Sequence, residues 1–302
     1  MGLNSDSFYL LVDAKRNGAS FEKIICTGRP HLNVDSTTIR KTMTRAGLFN
    51  EALYNELVSG SDAPFADKVF TMLGARTLDI MDVSQYEGAN VIHDLNEPIR
   101  AELKEQYDLL FDAGTLEHIF NCTTGLRCYM EMLKIGGSMI VCSPGNTWMG
   151  NGFYQLGPDF FYRSLCPENG FRVERMIITA LGPFKRWYEV SDPKDIKERT
   201  TLTSFLRQQL ILVHAVKTAS VDPFHCWPQQ QSYEDVDYTR MNKEAEEQKN
   251  RLPSNWLVSR LKALRTAWLF YSRDTVLNRK RFKPVPKFPS HPRLRSEENI
   301  EH

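Results

Sequence analysis

The sequence predicts an α/β chain: a doubly wound, mostly parallel sheet with helices on both faces. Three observations predict it. Short apolar runs that stop at Asp, Ser or Gly, such as Leu109-Leu110-Phe111 before Asp112 and Met139-Ile140-Val141 before Ser143, have the length of buried strands. Between those two runs Leu126, Tyr129, Met130 and Leu133 follow helical spacing, with Lys134 in the last turn and Gly136-Gly137 as a stop. The resulting order of strand, helix, Gly-Gly and strand is a βαβ unit, whose strands are parallel. In such sheets ligands bind beyond the carboxyl ends of the strands. Asp112, Thr115, Glu117 and His118 follow the first strand of the unit, and Ser143, Asn146 and Trp148 follow the second.

The other elements fall around this unit. Residues 5–18 predict a lead-in helix with Phe8, Leu11 and Val12 on one face, stopped at Asn17-Gly18. Phe21 to Thr27 reads as the first strand, and Gly28-Arg29-Pro30 as a sharp turn. Asp35 to Val58 is helix-rich, with Asp35 or Ser36 as cap and a break near Gly47. Ala66 to Leu73 is a short helix, Thr77 to Met81 a strand ending at Asp82, and Asn90 to Ile92 a strand ending at His93-Asp94. Glu97 to Gln106 reads as a polar helix, and the helix of the central unit as spanning Thr115 to Leu133. Pro158 to Leu165 predicts a helix with Pro at its first turn. Phe171 to Ala180 and Gln209 to Lys217 complete seven strands as an antiparallel pair at the sheet edge, with Leu181 to Thr203 between them as an irregular insertion.

Composition narrows the class. With 302 residues, 41% hydrophobic and 25% charged, the chain suits one globular core plus an extension. The net charge of +1 gives no whole-chain argument for nucleic acid or a membrane surface. No apolar run approaches the roughly 18–20 residues of a membrane span, and the first residues lack the pattern of a secretory signal. Met1-Gly2 invites a myristoylation reading, against which Asp6 stands. Six scattered cysteines without a CxxC pair read as reduced thiols in a cytoplasmic protein, with no metal site.

FDAGTLEHI (111–119) followed by MLKIGGSMIVCSPGN (132–146) resembles the second half of class I S-adenosylmethionine-dependent methyltransferases, with Ile135 where Pro is commoner. The resemblance spans roughly residues 21–218 and is strongest from 79 to 171. It implies a three-layer Rossmann-like fold with a seven-stranded sheet over residues 1–220, S-adenosylmethionine as methyl donor, and site residues by position. The first turn, Thr27-Gly28-Arg29, would meet the amino-acid head of the donor, although one glycine stands where the family shows a glycine-rich pattern. Asp82, with Val83 beside it, would bind the ribose diol. Asp94 would bind the adenine amino group, with Leu95 against the ring. Asp112 and Gly114 would close the site near the reacting methyl. His118 is the candidate base for an oxygen acceptor, because imidazole ordinarily titrates near working pH, and Glu117 would orient it or contact substrate. The run GNGFYQLGP (150–158) is similar to one in related bacterial methyltransferases and makes Asn146, Trp148, Tyr154 and Gln155 candidates for the acceptor pocket. Aromatic faces beside amides suit a sugar or another polyhydroxylated small molecule, hence an O-methylated glycan precursor or small molecule, less readily an N-methylated one.

Two other readings compete. A non-catalytic descendant of the fold, kept as a partner-binding subunit, is motivated by the single-glycine turn. A nicotinamide-dependent enzyme lacks the expected pyrophosphate turn. Residues 221–302 read as a C-terminal extension: Leu257, Leu261, Leu264 and Trp268 outline an amphipathic helix over 255–271. Arg251 to Arg295 holds twelve Lys and Arg against the single acid Asp274, a candidate for peripheral contact with an anionic partner. The Pro-rich end predicts disorder.

Overall fold

The computed structural model describes residues 2–59, 64–181, 186–196, 202, 207–230, 264–265 and 278–285. In chain order the elements are β1 (Gly2–Asn4), α1 (Ser5–Arg16), β2 (Lys23–Thr27), β3 (His31–Asn33), α2 (Ser36–Ala46), α3 (Glu51–Ser59), α4 (Asp67–Met72), β4 (Thr77–Asp82), β5 (Val91–Ile92), β6 (Tyr107–Asp112), α5 (Cys122–Met132), β7 (Leu133–Asn146), α6 (Pro158–Ser164), β8 (Phe171–Ala180), β9 (Trp187–Val190), α7 (Pro193–Ile196), β10 (Gln209–Lys217) and β11 (Phe282–Val285). The main sheet runs β11-β9-β8-β10-β7-β6-β2-β4-β5. The five strands from β7 to β5 pair in parallel and the four at the other end pair antiparallel. This is the expected doubly wound α/β architecture with a mostly parallel sheet, to which extra strands are added.

Alternation along each strand sorts the core into two layers. Ile24 and Cys26 of β2, Leu109 and Phe111 of β6, and Ile140 and Cys142 of β7 bury against the helices α1, α2 and α4. Their neighbours Ile25, Leu110, Met139 and Val141 bury on the opposite face with α5 and α6. Side chains of a strand point to alternate faces, so a run apolar at every position must be covered on both sides. The first helix is fixed at its start by a capping box: Asn4 Oδ1 accepts the N–H of Asp6 at 2.9 Å and of Ser7 at 3.0 Å, and the Ser7 hydroxyl returns to the Asn4 N–H at 3.1 Å.

Several expectations are corrected. Among the described residues the main sheet has nine strands rather than seven, and β1 with β3 form a separate parallel pair. The pair β8–β10 is antiparallel as expected but is not the edge, because β9 and β11 lie beyond β8. The stretch expected to be irregular contains β9 and α7, and β9 is held by the buried Trp187, whose indole N–H donates to Asp6 Oδ1 at 2.9 Å. Glu97 to Gln106 forms only a 3-10 turn at Ala101–Leu103, since Glu105 adopts φ 52° and ends any helical path. The central helix starts at Cys122, not Thr115, and is preceded by a 3-10 turn at Leu116–His118. Among the described residues no helix is long and apolar enough to cross a membrane. The expected helix over 255–271, apart from residues 264–265, and most of Arg251–Arg295 lie outside the described residues.

The strand β11 comes from far along the chain, yet Phe282 is wholly buried and pairs with Val190. Phe282→Ala should therefore lower stability by about 3–5 kcal/mol in urea denaturation, while Lys283→Ala, on the exposed face, changes it by about 0.5 kcal/mol or less. A loss below about 1 kcal/mol for Phe282→Ala would show that this strand is not part of the core.

Candidate active site

The parallel strands bring the candidate residues to one edge of the sheet. Thr27 pairs with Met81 on one side and with Asp112 on the other, and Asp82 pairs with Ile92. Neighbouring strands lie about 4.8 Å apart, so the tips bearing Gly28, Asp82 and Asp94 follow one another at that spacing, with Asp112 on the far side of Gly28. The Gly28 N–H donates to Met81 O at 2.8 Å and the His93 N–H to Asp82 O at 2.9 Å, which locks these tips in step.

Asp112 is fully buried. Its Oδ1 accepts the N–H groups of Gly114 at 2.8 Å and Thr115 at 2.7 Å, and its Oδ2 accepts the Leu116 N–H and the Tyr129 hydroxyl, both at 3.1 Å. Burial pushes its pKa upward, against the lowering effect of those N–H groups. With every contact a donor, Asp112 builds the turn rather than facing a ligand. Gly114, at φ 106°, lets that turn reverse. The Thr115 hydroxyl donates to Thr27 O at 2.7 Å and Tyr129 stands 3.1 Å from Thr27 Oγ1, so the first turn is tied to the same centre.

Gly28 has φ 73°, and a Cβ there would meet Thr115 Oγ1 at 3.6 Å. Arg29, expected to face a carboxylate of the donor, is engaged within the chain. Its guanidinium bonds Asp67, donates to Glu87 O at 3.1 Å and lies over the Phe65 ring at 4.1 Å. Asp82 behaves differently: its Oδ1 accepts the Ser84 N–H at 3.2 Å, and its Oδ2 has no hydrogen-bond partner among the described residues. The rival Asp79 is used structurally, by Asn90 at 2.8 Å and Tyr107 at 3.0 Å. Val83 beside Asp82 is exposed. Asp94 Oδ1 accepts from the Asn96 backbone and side chain at 2.9 and 2.8 Å, which lowers its pKa, and its other oxygen is open. Leu95 is buried below it, in the apolar layer with Ile25 and Leu110.

Glu117 and His118 sit on the 3-10 turn. Glu117 is wholly buried: Oε2 accepts the Ser143 hydroxyl at 3.1 Å, and Oε1 has no hydrogen-bond partner among the described residues. Burial, with the Asp112 charge adding to it, pushes its carboxyl up to about 8. His118, with a half-exposed side chain, places Nε2 4.0 Å from that free oxygen. The rim loop is folded onto this pair, because Glu117 O accepts the N–H of Phe153 at 2.8 Å and a Cβ at Gly152 would lie 2.7 Å from the same oxygen.

Each of the four expected acceptor residues makes at least one bond within the chain. Asn146 bonds Leu202 O and the Thr147 N–H, Trp148 donates through its indole to Gln209 O at 2.8 Å, Gln155 Oε1 accepts the Trp148 N–H at 2.9 Å, and the Tyr154 hydroxyl donates to Phe120 O at 2.7 Å. They shape the rim. What faces outward beside His118 is Phe120 and Phe153, each 66% exposed, with ring centroids 5.5 Å apart at 83°. Sequence reasoning missed both; the signal was the position of Phe120 two residues after His118, and of Phe153 within a run otherwise read for its amides.

No protein-family profile matches the chain, and no curated protein does. Solved structures do match in chain path. A 1,6-didemethyltoxoflavin-N1-methyltransferase of Burkholderia thailandensis, with bound S-adenosylhomocysteine, is 12% identical over 70% of this chain and 79% of its own, with a TM-score of 0.38. The YcgJ protein of Bacillus subtilis is 7% identical over 71% and 99%, with a TM-score of 0.39. An S-adenosylmethionine-dependent methyltransferase of Aquifex aeolicus is 10% identical over 68% and 89%, with a TM-score of 0.33. Likeness at this level assigns no residue roles.

The buried Glu117 makes stability depend on pH. Between its ordinary value of 4.5 and about 8, the folded chain holds a proton that the unfolded chain has released, so stability falls as pH rises through that window. Asp112, also raised by burial, acts in the same direction. Glu117→Gln should flatten part of the fall in Tm between about pH 5 and 9. A variant profile superimposable on wild type would mean that Glu117 is ionised in the folded state.

Proposed function

We propose that this chain is an S-adenosylmethionine-dependent methyltransferase acting on an oxygen, in preference to a nitrogen, of a small molecule or glycan precursor. The observation that carries the reading is the set of open carboxyl oxygens on one sheet edge: Asp82 Oδ2 and Asp94 Oδ2 beside the positive-φ Gly28, and the buried, unpartnered Glu117 Oε1 one strand further on. A carboxylate with a free oxygen at the tip of β4 suits a ribose diol, which offers two donors. Asp94 over Leu95 suits an amino-bearing aromatic ring. Thr27, Gly28 and Val83 supply the remaining wall, and Gly28 contributes close approach, since its own N–H is committed to Met81. When bound, the sulfonium donor supplies an electrophilic methyl carbon. His118 takes the proton of the acceptor oxygen, and Glu117 holds that imidazole and the acceptor in place. The free thiols fit the reducing cytoplasm as the place of work.

One observation favours the second reading, a partner-binding subunit without catalysis. The first turn offers few free donors to an anionic head, because Gly28 N–H is taken and Arg29 is clamped between Asp67, Glu87 and Phe65.

Calorimetry with S-adenosylmethionine and S-adenosylhomocysteine separates the two. Micromolar binding is expected, weakened about tenfold to a hundredfold by Asp82→Ala, the loss of hydrogen bonds to a charged group. No heat from either compound, together with an Asp82→Ala protein that behaves as wild type, would leave the partner-binding reading.

A further inference from the structure

We infer that the acceptor is an aromatic hydroxyl compound, a phenol, whose ring lies on Phe120 and Phe153 and whose oxygen reaches between His118 and Glu117. The inference rests on the methyl-transfer reading and names the acceptor of that same site. Three observations lead to it. Most of the amide and indole groups that would have gripped a polyhydroxylated sugar are committed within the chain: the Asn146 amide to Leu202 O, the Trp148 indole to Gln209 O and Gln155 Oε1 to the Trp148 N–H. The groups left facing outward next to His118 are two phenyl rings in an edge-to-face pair, joined to the turn by the Phe153 N–H to Glu117 O and by the Tyr154 hydroxyl to Phe120 O. Glu117, whose backbone oxygen holds Phe153, buries an Oε1 that has no hydrogen-bond partner among the described residues, an atom that an incoming hydroxyl would satisfy.

The chemistry of the pair selects among hydroxyl compounds. Glu117 Oε2 accepts from Ser143, so the acid proton that burial retains falls on Oε1, which makes Glu117 a donor to the acceptor oxygen. A phenol ionises near pH ~10, as tyrosine does, far below an aliphatic alcohol, and imidazole assists its ionisation without a metal. In the step, the phenolic O–H proton passes to the His118 imidazole and an oxygen lone pair bonds to the methyl carbon of the donor. The carbon–sulfur bond breaks with its electron pair left on sulfur, which turns the sulfonium into a neutral thioether, and the imidazolium then returns its proton to solvent. The developing negative charge on oxygen is met by the Glu117 donor. An aromatic face adds edge and stacking contacts with both rings.

The test uses the full chain and two probes, methyl 4-hydroxybenzoate and methyl α-glucoside. Binding is followed by tryptophan fluorescence and ligand-observed NMR, and transfer by radiolabelled methyl from S-adenosylmethionine. The phenol is expected to bind and be methylated at its hydroxyl, and the glucoside to do neither. Phe153→Ala and Phe120→Ala should each weaken phenol binding about tenfold, as loss of an aromatic contact does, while S-adenosylhomocysteine binds as to wild type. Phe153→Leu, which retains bulk without a ring, is expected to recover only part of the loss and guards against a misfolded loop. Failure of the phenol to bind, equal binding to wild type and both alanine variants, or preference for the glucoside would overturn the inference. Ring-dependent phenol binding without any binding of S-adenosylhomocysteine would overturn methyl transfer while leaving the phenol surface in place.

Discussion

The structure turns on one buried carboxylate. Asp112 lies at the tip of the central strand and gathers three backbone N–H groups and the Tyr129 hydroxyl. Without it, a reversal at Gly114 would leave three donors unpaired in an apolar interior, each costing about 1–3 kcal/mol. With it, residues 114–118 curl over the sheet edge and Tyr129 of α5 reaches across to Thr27. The first turn, the 3-10 turn and the central helix are thus positioned by the same atoms. The cost appears in its neighbour, because the Asp112 charge adds to burial in keeping Glu117 protonated.

That arrangement also explains the rim. Glu117 offers its backbone oxygen to Phe153, and the loop closes on itself through Trp148 and Gln155. A loop whose polar groups bond one another holds its shape without a ligand. It pays for that rigidity in polarity, since the Asn146 amide, the Trp148 indole and Gln155 Oε1 are engaged and the rings of Phe120 and Phe153 lie exposed.

The strands that build the site were legible because they are buried on both faces and therefore apolar at every position: Ile24 to Cys26, Leu109 to Phe111, Met139 to Cys142. The strands β9 and β11 were not. Trp187-Tyr188-Glu189-Val190 is short and half polar, and β11 contains Pro284, which a sequence reading assigns away from strands although edge positions accept it. The burial of β9 comes from pairing with β8 and β11 and from Asp6 of α1, 181 positions away, and that of β11 from β9, which lies far earlier in the chain. The helix at 122 was placed too early because the Asp112 carboxylate, not helix geometry, takes the N–H groups of 114–116. In the site, strand-end position identified Asp82, Asp94 and Asp112 alike. Nothing in their local sequence distinguishes the aspartate that builds the turn from the two with an open oxygen, since the difference lies in which N–H groups fold back toward each.

The pairing of Glu117 with His118 is the part of the site least explained by folding. A carboxyl group shut away from water with one oxygen unmatched is a cost, and Gly152 is pressed so near its backbone that no side chain fits there. Leucine at 117 would remove the unmatched oxygen, and neither the turn nor the loop needs the acid, because both bond the backbone of that residue. Stability therefore gives no reason for an ionisable group at this depth. The proposed reaction gives one: an acceptor oxygen that yields its proton to His118 would have its growing charge held by a protonated, buried carboxyl, without a competing negative charge.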